Sequence, residues 1–226
     1  MRNINLVVLG DGGVGKSSLI IQYVRNRFVV KYEATIEDVY QKAVEVDAQP
    51  TVLTIVDTSG QDVFGGMRYK YIRKCHGVIL VYSVIDAESF SHIKAIHTQL
   101  CRARGSPSIP CVLVGNKVDE VKHRAVSSEE ASKFAAQFMY PLLEVTAKDH
   151  SMAAAVFETL VRSIRGEESW LECRSPNVIF PPAATISEVR DEVHQLELPS
   201  VDLVDEHEEE SPGIANRKKK SGCTML

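Results

Sequence analysis

Nine residues near the start of the chain, GDGGVGKSS, combine glycines, one lysine and two hydroxyl side chains between the apolar runs INLVVL and LIIQYV. The pattern Gly10-x4-Gly15-Lys16-Ser17 is typical of a phosphate-binding loop between a strand and a helix. Glycines let successive backbone N–H groups turn toward an anion, and the helix N-terminus adds a positive dipole end. We expect Lys16 to reach nucleotide phosphates and Ser17 to bind Mg²⁺. The predicted nucleotide contacts are Gly10, Asp11, Gly12, Gly13, Val14, Gly15, Lys16, Ser17 and Ser18.

A second polar segment, NKVD at residues 116–119, follows directly after the apolar run CVLVG. The carboxylate of Asp119 can accept hydrogen bonds from N1–H and the N2 amino group of guanine, and adenine has neither donor. A buried carboxylate left without donors is costly, so this residue favours guanine and argues against an ATP-dependent phosphate-loop enzyme. The amide of Ala147 can donate to guanine O6. The predicted base-contacting residues are Asn116, Lys117, Asp119, Thr146, Ala147 and Lys148.

A third segment, DTSGQ at residues 57–61, follows the apolar run TVLTIV. Asp57 lies at the end of a predicted strand, where a carboxylate can hold Mg²⁺ through a water molecule. The backbone amide of Gly60 can contact a γ-phosphate, and the side chain of Gln61 can orient an attacking water. The sequence therefore predicts chemistry on a nucleoside triphosphate.

The elements that position these segments alternate between short apolar runs and helical patterns up to about residue 165. The predicted strands are Asn3–Leu9, Val39–Val46, Thr51–Val56, Val78–Tyr82, Cys111–Val114 and Leu142–Val145. The predicted helices are Lys16–Val24, Ala87–Arg104, Ser128–Phe138 and Ser151–Arg165. This alternation predicts an α/β fold with a mostly parallel six-stranded sheet, one antiparallel edge strand and helices on both faces. Ligands of such sheets bind beyond the carboxyl ends of the strands.

In this order, the segments GDGGVGKSS, DTSGQ, NKVD and TAK (residues 146–148) resemble those of the Ras superfamily of small GTPases. The likeness is greatest to its Ras/Rap/Rheb branch, because FVVKYEATIEDVY at residues 28–40 is similar to the switch I segment of that branch. The resemblance covers residues 3–165. It implies a G domain of the P-loop NTPase fold over residues 1–165.

The resemblance also implies roles for individual residues of switch I. Phe28 would pack against guanine, and the backbone of Val29 and Val30 would lie beside the ribose. Tyr32 would close over the phosphates, and Thr35 would bind Mg²⁺ and touch the γ-phosphate. The implied metal ligands are Ser17, Thr35 and, through water, Asp57. The implied catalytic residues are Gln61, Lys16 and Thr35. The implied effector surface consists of Tyr32, Ile36, Glu37, Asp38 and Tyr40.

The implied activity is slow hydrolysis of GTP by a monomeric signalling switch that binds GTP and GDP with Mg²⁺. The implied partners are a GTPase-activating protein, a guanine-nucleotide exchange factor and an effector with a Ras-binding-type domain. Three features depart from the family pattern: Glu33-Ala34 in place of Asp-Pro, Ser59 in place of alanine, and the pair Gly65-Gly66 in switch II. They keep open a GTP-bound adaptor with negligible hydrolysis, although the retained Gln61 argues against it.

The composition changes after residue 165. Residues 166–226 carry a formal charge of −7 and five of the prolines, which predicts a flexible acidic tether. The tether ends in RKKKSGCTML, a polybasic run followed by a C-a-a-X pattern with Cys223 as the prenylation site and a terminal leucine that favours geranylgeranyl. Prenyl and polybasic signals together predict attachment to membrane lipids, most simply at the cytoplasmic face of the plasma membrane. A nuclear localisation signal is the alternative interpretation of RKKK.

The remaining features of composition exclude other classes of protein. Residues 1–165 carry a formal charge of only +3, so no strongly basic surface for nucleic acid is expected. The five cysteines are scattered and lack C-x-x-C spacing, which argues against a disulfide framework or a zinc site. No apolar stretch is long enough to span a bilayer.

Overall fold

A computed structural model of the chain describes residues 2–28, 37–60, 66–105, 109–166 and 178–179. The strands are β1 (Arg2–Gly10), β2 (Glu37–Val46), β3 (Gln49–Thr58), β4 (Gly77–Ser83), β5 (Cys111–Asn116), β6 (Leu142–Glu144) and β7 (Val178–Ile179). The helices are α1 (Lys16–Arg25), α2 (Gly66–Lys74), α3 (Ala87–Arg104), α4 (Ser128–Gln137) and α5 (His150–Arg165). Each predicted strand and helix overlaps an observed one.

The strands form one sheet in the order β2-β3-β1-β4-β5-β6-β7. The pairs β1–β3, β1–β4, β4–β5 and β5–β6 are parallel, and β2 is the antiparallel edge strand against β3. The predicted mostly parallel sheet of six strands is thereby confirmed. The structure adds β7, in which Val178 and Ile179 pair antiparallel with β6 at the opposite edge, beyond residue 165.

Two hydrophobic cores lie on opposite faces of the sheet, as the alternation of side chains along β1 requires. Ile4, Leu6 and Val8 of β1 pack with residues of α1 and α5 on one face. Val7 and Leu9 face the other side, where they pack with residues of α2, α3 and α4. The prediction of helices on both faces is confirmed. Among the described residues, the sheet is therefore packed against helices on both faces.

Local sequence signals account for two of the connections. The residues DAQP at 47–50 predict a turn between β2 and β3. The observed turn is shorter, because it consists of Asp47 and Ala48, with left-handed φ values of 51° and 58°, and β3 already begins at Gln49. Helix α4 begins after Ser127, whose hydroxyl accepts a hydrogen bond from the amide of Glu130 at 3.1 Å, as the capping-box spacing predicts.

Helix α2 was not predicted from the sequence. It begins at Gly66 and ends at Lys74, and of its side chains Ile72 is buried in the core, at 6% exposure. A helix with a glycine at its start and little apolar periodicity has a weak sequence signal. Its position is set by tertiary contact, because the guanidinium of Arg104 in α3 donates to the carbonyl oxygens of Ile72, Arg73 and Cys75 at the end of α2.

The carboxyl ends of β1, β3 and β5 lie at the same end of the sheet, because the three strands run parallel. Gly10, Thr58 and Asn116 end these strands, and the GDGGVGKSS, DTSGQ and NKVD segments therefore leave the sheet side by side. In the part of the chain that is described, no helix has the length and apolar content needed to cross a bilayer.

Candidate functional site

The phosphate loop connects β1 to α1, and its glycines are required by its geometry. Gly15 precedes the first residue of α1 with a φ of 97°, a left-handed conformation that L-residues rarely adopt. A Cβ atom at Gly15 would lie 2.4 Å from Nδ2 of Asn116, so no side chain fits between the loop and β5. The start of α1 therefore lies directly against the loop at residues 116–119, which with the loop at residues 146–148 forms the base-side loops. The first backbone N–H groups of α1 have no side-chain cap.

Lys16 is held along the inner side of this loop. Its ammonium group donates to the carbonyl oxygens of Gly10 at 3.1 Å and of Asp11 at 2.8 Å, and the residue is only 6% exposed. The buried ammonium group therefore places a positive charge against the backbone of the loop. The loop thus offers a fixed charge and backbone donors to an anion.

Asp57, near the end of β3, is completely buried, and neither of its carboxylate oxygens makes a hydrogen bond of standard geometry. Burial raises the pKa of this carboxyl group, while the neighbouring Ser17 hydroxyl and the Lys16 ammonium oppose that shift. A carboxylate with two unsatisfied buried oxygens beside a hydroxyl is a donor set suited to a hard cation. The residues present therefore fit the predicted Mg²⁺ site.

Asn116, at the end of β5, connects three loops through its side-chain amide. Its Nδ2 donates to the carbonyl oxygen of Val14 at 2.9 Å. Its Oδ1 accepts from the amides of Lys117 at 2.8 Å and of Ala147 at 3.1 Å. The residue is 1% exposed, so these bonds are shielded from water. The sequence predicted a base contact here, and the structure places the side chain as a clamp between the phosphate loop and both base-side loops.

Asp119 is paired with Lys148 across the base-side loops. The Lys148 ammonium lies 2.5 Å from Oδ2 of Asp119 and 3.9 Å from Oε1 of Glu120. Partial burial acts to raise the pKa of Asp119, but hydrogen bonds from Lys148 and Thr146 outweigh it and lower the pKa. Asp119 is thus held in the acceptor form that recognition of two guanine donors requires.

Two backbone details of the base side could not be predicted from the sequence. Lys117 has a φ of 68°, a strained conformation for a residue with a side chain, and such strain is concentrated at functional sites. The Ala147 amide, predicted to donate to guanine O6, donates here to Oδ1 of Asn116. A guanine O6 atom would have to share this donor with Asn116.

Gly60 connects the end of β3 to the phosphate loop by direct backbone packing. A Cβ atom at Gly60 would lie 2.2 Å from the amide nitrogen of Gly12 and 2.5 Å from the carbonyl carbon of Asp11. By contrast, a Cβ atom at Gly12 would meet no described atom within 4 Å. Gly60 is therefore required by close packing, whereas the space beside Gly12 is open.

The other predicted site residues divide into those that the structure describes and those that it does not. Val14 is buried, Ser17 and Ser18 are half-buried in α1, and Gly13 is exposed with a φ of 71°. Phe28 is 37% exposed, and Asp38 and Tyr40 lie on the edge strand β2, where the backbone of Glu37 pairs with Thr58. Val29, Val30, Tyr32, Thr35, Ile36, Gln61 and Cys223 lie outside the described residues.

One partner of the phosphate loop was missed by sequence reasoning. Nδ1 of His92, in α3, lies 2.6 Å from Oδ2 of Asp11, and the two residues are 81 positions apart in the chain. A lone histidine on a helix surface has no pattern that identifies such a partner. The only sequence signal was an ionisable residue within a loop of otherwise small residues.

Comparisons with known proteins agree with the geometry. The model of the Ras family matches residues 5–166 of this chain. The chain is 44% identical over 160 residues to the Ras-related protein R-Ras of Homo sapiens, covering 71% of this chain and 73% of that protein. It is 43% identical over 164 residues to the Ras-like protein RAS2 of Hydra vulgaris, covering 73% of this chain and 85% of that protein.

Proposed function

Because the chain belongs to the Ras family of small GTPases and is a GTP hydrolase, we propose that it acts as a slow, membrane-tethered signalling switch. One observation carries this proposal. Three groups lie at the carboxyl ends of the strands of the sheet. They are the phosphate loop with its buried Lys16, the unsatisfied carboxylate of Asp57, and the base-side pair Asp119–Lys148.

For the reaction we propose in-line attack of water on the γ-phosphoryl group of GTP. The Lys16 ammonium and the backbone amides at the start of α1 stabilise negative charge on the phosphates, in positions fixed before GTP binds. Gln61 orients the attacking water, and the Gly60 amide contacts the γ-phosphate. When bound, Mg²⁺ neutralises charge on the β- and γ-phosphates, held by Ser17, Thr35 and, through water, Asp57.

The same geometry supports a preference for guanine. Asp119 is already ionised, and Asn116 holds the loop that presents it. A guanine base would replace the Lys148 ammonium at Asp119 with its N1–H and N2 donors, whereas adenine would displace the cation and return no donor. The difference is a desolvated and unpaired carboxylate, which disfavours ATP.

The proposal of slow hydrolysis is supported by the sequence FVVKYEATIEDVY at residues 28–40, which contains no arginine. Arg25 directs its guanidinium over the ring of Tyr40, 5.8 Å from the ring centroid, and so toward the edge strand. We therefore propose that the arginine that stabilises the transition state comes from an activating protein. In this class of enzyme such an arginine raises the rate by about 10³- to 10⁵-fold.

The proposed effector surface includes the edge strand β2. Its first residues pair with the end of β3, with Asp38 opposite Asp57, and so connect the metal site to the surface. Asp38 is exposed, and the neighbouring Val39 is 54% exposed. Because this surface starts beside Asp57, the presence or loss of the γ-phosphate can change the conformation of the surface through the residues that precede β2.

Single-turnover phosphate release tests the proposal. The full chain, loaded with GTP in saturating Mg²⁺, is expected to release phosphate slowly, and a Ras-family activating protein should accelerate the release. Excess GTP should displace a labelled GDP, whereas equal ATP should not. Bound GTP with no phosphate release under either condition would favour the alternative of a GTP-bound adaptor. Failure to bind guanine nucleotide would contradict the whole proposal.

The proposed anchor is tested separately. Protein purified from eukaryotic cells should carry a prenyl group on Cys223 by mass spectrometry. It should float with vesicles containing anionic lipid, because a prenyl chain and a polybasic run together give stable attachment. The Cys223→Ser variant should remain in the unbound fraction. Flotation of that variant to the same extent as the wild type would contradict prenyl anchoring.

A further inference from the structure

An ion pair joins the phosphate loop to the surface of α3. Nδ1 of His92 lies 2.6 Å from Oδ2 of Asp11, and the other carboxylate oxygen of Asp11 accepts the backbone N–H of Gly12 at 2.7 Å. The side chain of His92 is 44% exposed and that of Asp11 is 26% exposed. The imidazole therefore exchanges protons with solvent, while the carboxylate is bound to the loop backbone.

The charged groups around the pair are few among the described residues. Glu88 lies one turn earlier in α3, with Oε1 3.9 Å from Nε2 of His92, and Asp86 caps the start of the same helix. On the loop side, Lys16 is the charged group that acts on Asp11. With Glu88 and Asp86 also negative, Asp11 and His92 form the point where this acidic end of α3 meets the phosphate loop.

Both groups of the pair favour their charged forms. The hydrogen bond that His92 donates to Asp11 raises the pKa of His92, a shift that burial opposes and the nearby carboxylates support. Burial acts to raise the pKa of Asp11, but His92, the Gly12 amide and Lys16 together lower it. Asp11 is thus ionised throughout the range in which His92 titrates, which extends upward from the ordinary histidine value near neutral pH.

The loop contacts of Asp11 make its charge relevant to phosphate binding. The Lys16 ammonium donates to the carbonyl oxygen of Asp11, so the cation predicted to bind phosphate lies against the same residue that carries the carboxylate. The backbone of Gly60 packs against Asp11 and Gly12. A change in the net charge of the Asp11–His92 pair therefore alters the electrostatic potential at the Lys16 ammonium and at the backbone around the proposed phosphate position.

We propose that His92 is a positioning residue for nucleotide binding. In the protonated form of His92, the imidazolium holds the Asp11 carboxylate and neutralises its negative charge. This inference rests on the proposed function. When His92 loses its proton, its neutral imidazole can still donate Nδ1–H to Asp11, but the carboxylate keeps an uncompensated negative charge. That charge competes with phosphate for Lys16 and repels the bound nucleotide. Release of nucleotide therefore becomes faster as the pH rises through the titration of His92.

Two variants separate this charge effect from a structural role, because they are expected to move in opposite directions. His92→Gln keeps a hydrogen-bond donor and lacks the charge, so it should release nucleotide at the fast rate of the wild type at high pH. Asp11→Asn removes the charge that needs neutralising and keeps an acceptor for the Gly12 amide, so it should release slowly at every pH. His92→Lys retains the cation and should also be slow throughout.

The experiment measures release of N-methylanthraniloyl-GDP from the full chain between pH 6 and pH 9 at fixed ionic strength and saturating Mg²⁺. We expect the wild-type rate to rise about two- to five-fold beyond the background set by titration of the nucleotide itself, as for a partly exposed ion pair. That background is the slope that His92→Gln and Asp11→Asn share. Lys94→Gln removes a cation from the same helix, one that faces Glu130 instead of the loop, and should keep the wild-type profile.

The outcomes are distinct. If His92→Gln and Asp11→Asn accelerate release equally at every pH, the pair is structural and the proposal is wrong. If both keep the wild-type pH dependence, it is also wrong. A nuclear magnetic resonance titration of His92 provides a second test, in which Asp11→Asn should lower the pKa of the imidazole, and an unchanged value would overturn the proposal. If labelled GDP does not bind at all, the proposed function fails, and the titration still decides whether His92 and Asp11 are coupled.

Discussion

The phosphate end and the base end of the site satisfy their polar groups differently. At the base end, Asn116 makes three buried hydrogen bonds and Asp119 is paired with Lys148. At the phosphate end, the two buried oxygens of Asp57 make no hydrogen bond of standard geometry, and the Lys16 ammonium donates to the carbonyl oxygens of Gly10 and Asp11. The polar groups of the base end are satisfied by contacts within the protein, whereas the buried carboxylate of the phosphate end retains acceptor capacity that suits a cation.

The largest expected effect separates chemistry at the phosphate end from recognition at the base end. Gly12→Val should abolish stimulation by an activating protein, a loss of about 10³- to 10⁵-fold in rate. The open space beside Gly12 tolerates the side chain in the folded protein, but we expect the valine to occupy the volume that Gln61 and an incoming arginine need. Single-turnover phosphate release with and without the activating protein measures this effect. Retention of labelled GDP by the variant is the control, and undiminished stimulation would contradict the prediction.

The second-largest expected effect concerns base recognition alone. Asp119→Asn replaces two charged acceptor oxygens with one neutral acceptor and one donor. One hydrogen bond to guanine is therefore replaced by two donors that face each other, and the other bond loses its charge. We expect GTP affinity to fall by about 10²- to 10⁴-fold, corresponding to two hydrogen bonds to a charged group. Xanthosine triphosphate, which presents an acceptor at C2, should then bind better than GTP.

Competition of both nucleotides against labelled GDP measures this change of specificity. Glu120→Gln is the matched control, because Glu120 lies beside Asp119 and also approaches Lys148. A variant of Asp119 that still prefers guanine would show that another group recognises the base.

Asn116→Ala tests whether the two ends are coupled. It removes the bonds to Val14 and to the amides of Lys117 and Ala147. At about 1 kcal/mol for each bond, we expect the free energy of unfolding to fall by about 3 kcal/mol. Release of labelled GDP should accelerate by on the order of 10²-fold, the same free energy expressed as a rate. Chemical denaturation and nucleotide release measure the two quantities, with the exposed Asn3→Ala as control. Unfolding affected without release would mean that the ends are independent.

The smallest effect has the opposite sign and is specific to the phosphate end. Asp57→Asn removes a buried charge, so we expect the chain without nucleotide or Mg²⁺ to become more stable, by about 1–2 kcal/mol. In the same variant, Mg²⁺ should no longer slow the release of labelled GDP. Denaturation in a chelator, and release with and without Mg²⁺, measure both changes. Glu45→Gln, at an exposed position of the edge strand β2, is the control, and loss of stability in Asp57→Asn would show that the carboxylate is already compensated.

The parts of the site that were predicted from the sequence share a physical cause. Each of the segments GDGGVGKSS, DTSGQ and NKVD directly follows a run of apolar residues that forms a strand. Because these strands run parallel, the three segments lie at the same end of the sheet. The residue types then indicate the chemistry, because a carboxylate, an ammonium and glycine amides have few uses in such positions. Local signals sufficed as well for the capping of α4 by Ser127 and for the Asp47–Ala48 turn.

The features that were not predicted depend on contacts between distant segments. Helix α2 has little apolar periodicity, and Arg104 of α3 binds its final carbonyl groups. Strand β7 has two residues, and its pairing with β6 supplies what its own sequence does not. In both cases the stabilising partner lies tens of residues away, where no pattern within a short window can register it.

The sequence by itself therefore indicated the fold and the family of guanine-nucleotide hydrolases, and it predicts the residues around the phosphates, since these depend on residue type and local order. The tertiary structure alone decided how those residues are paired. It made Asn116 a clamp between three loops, set Lys148 against Asp119, buried the Asp57 carboxylate without a hydrogen bond of standard geometry and joined Asp11 to His92. Pairing depends on distance and on exclusion of water, and both arise only when the chain has packed.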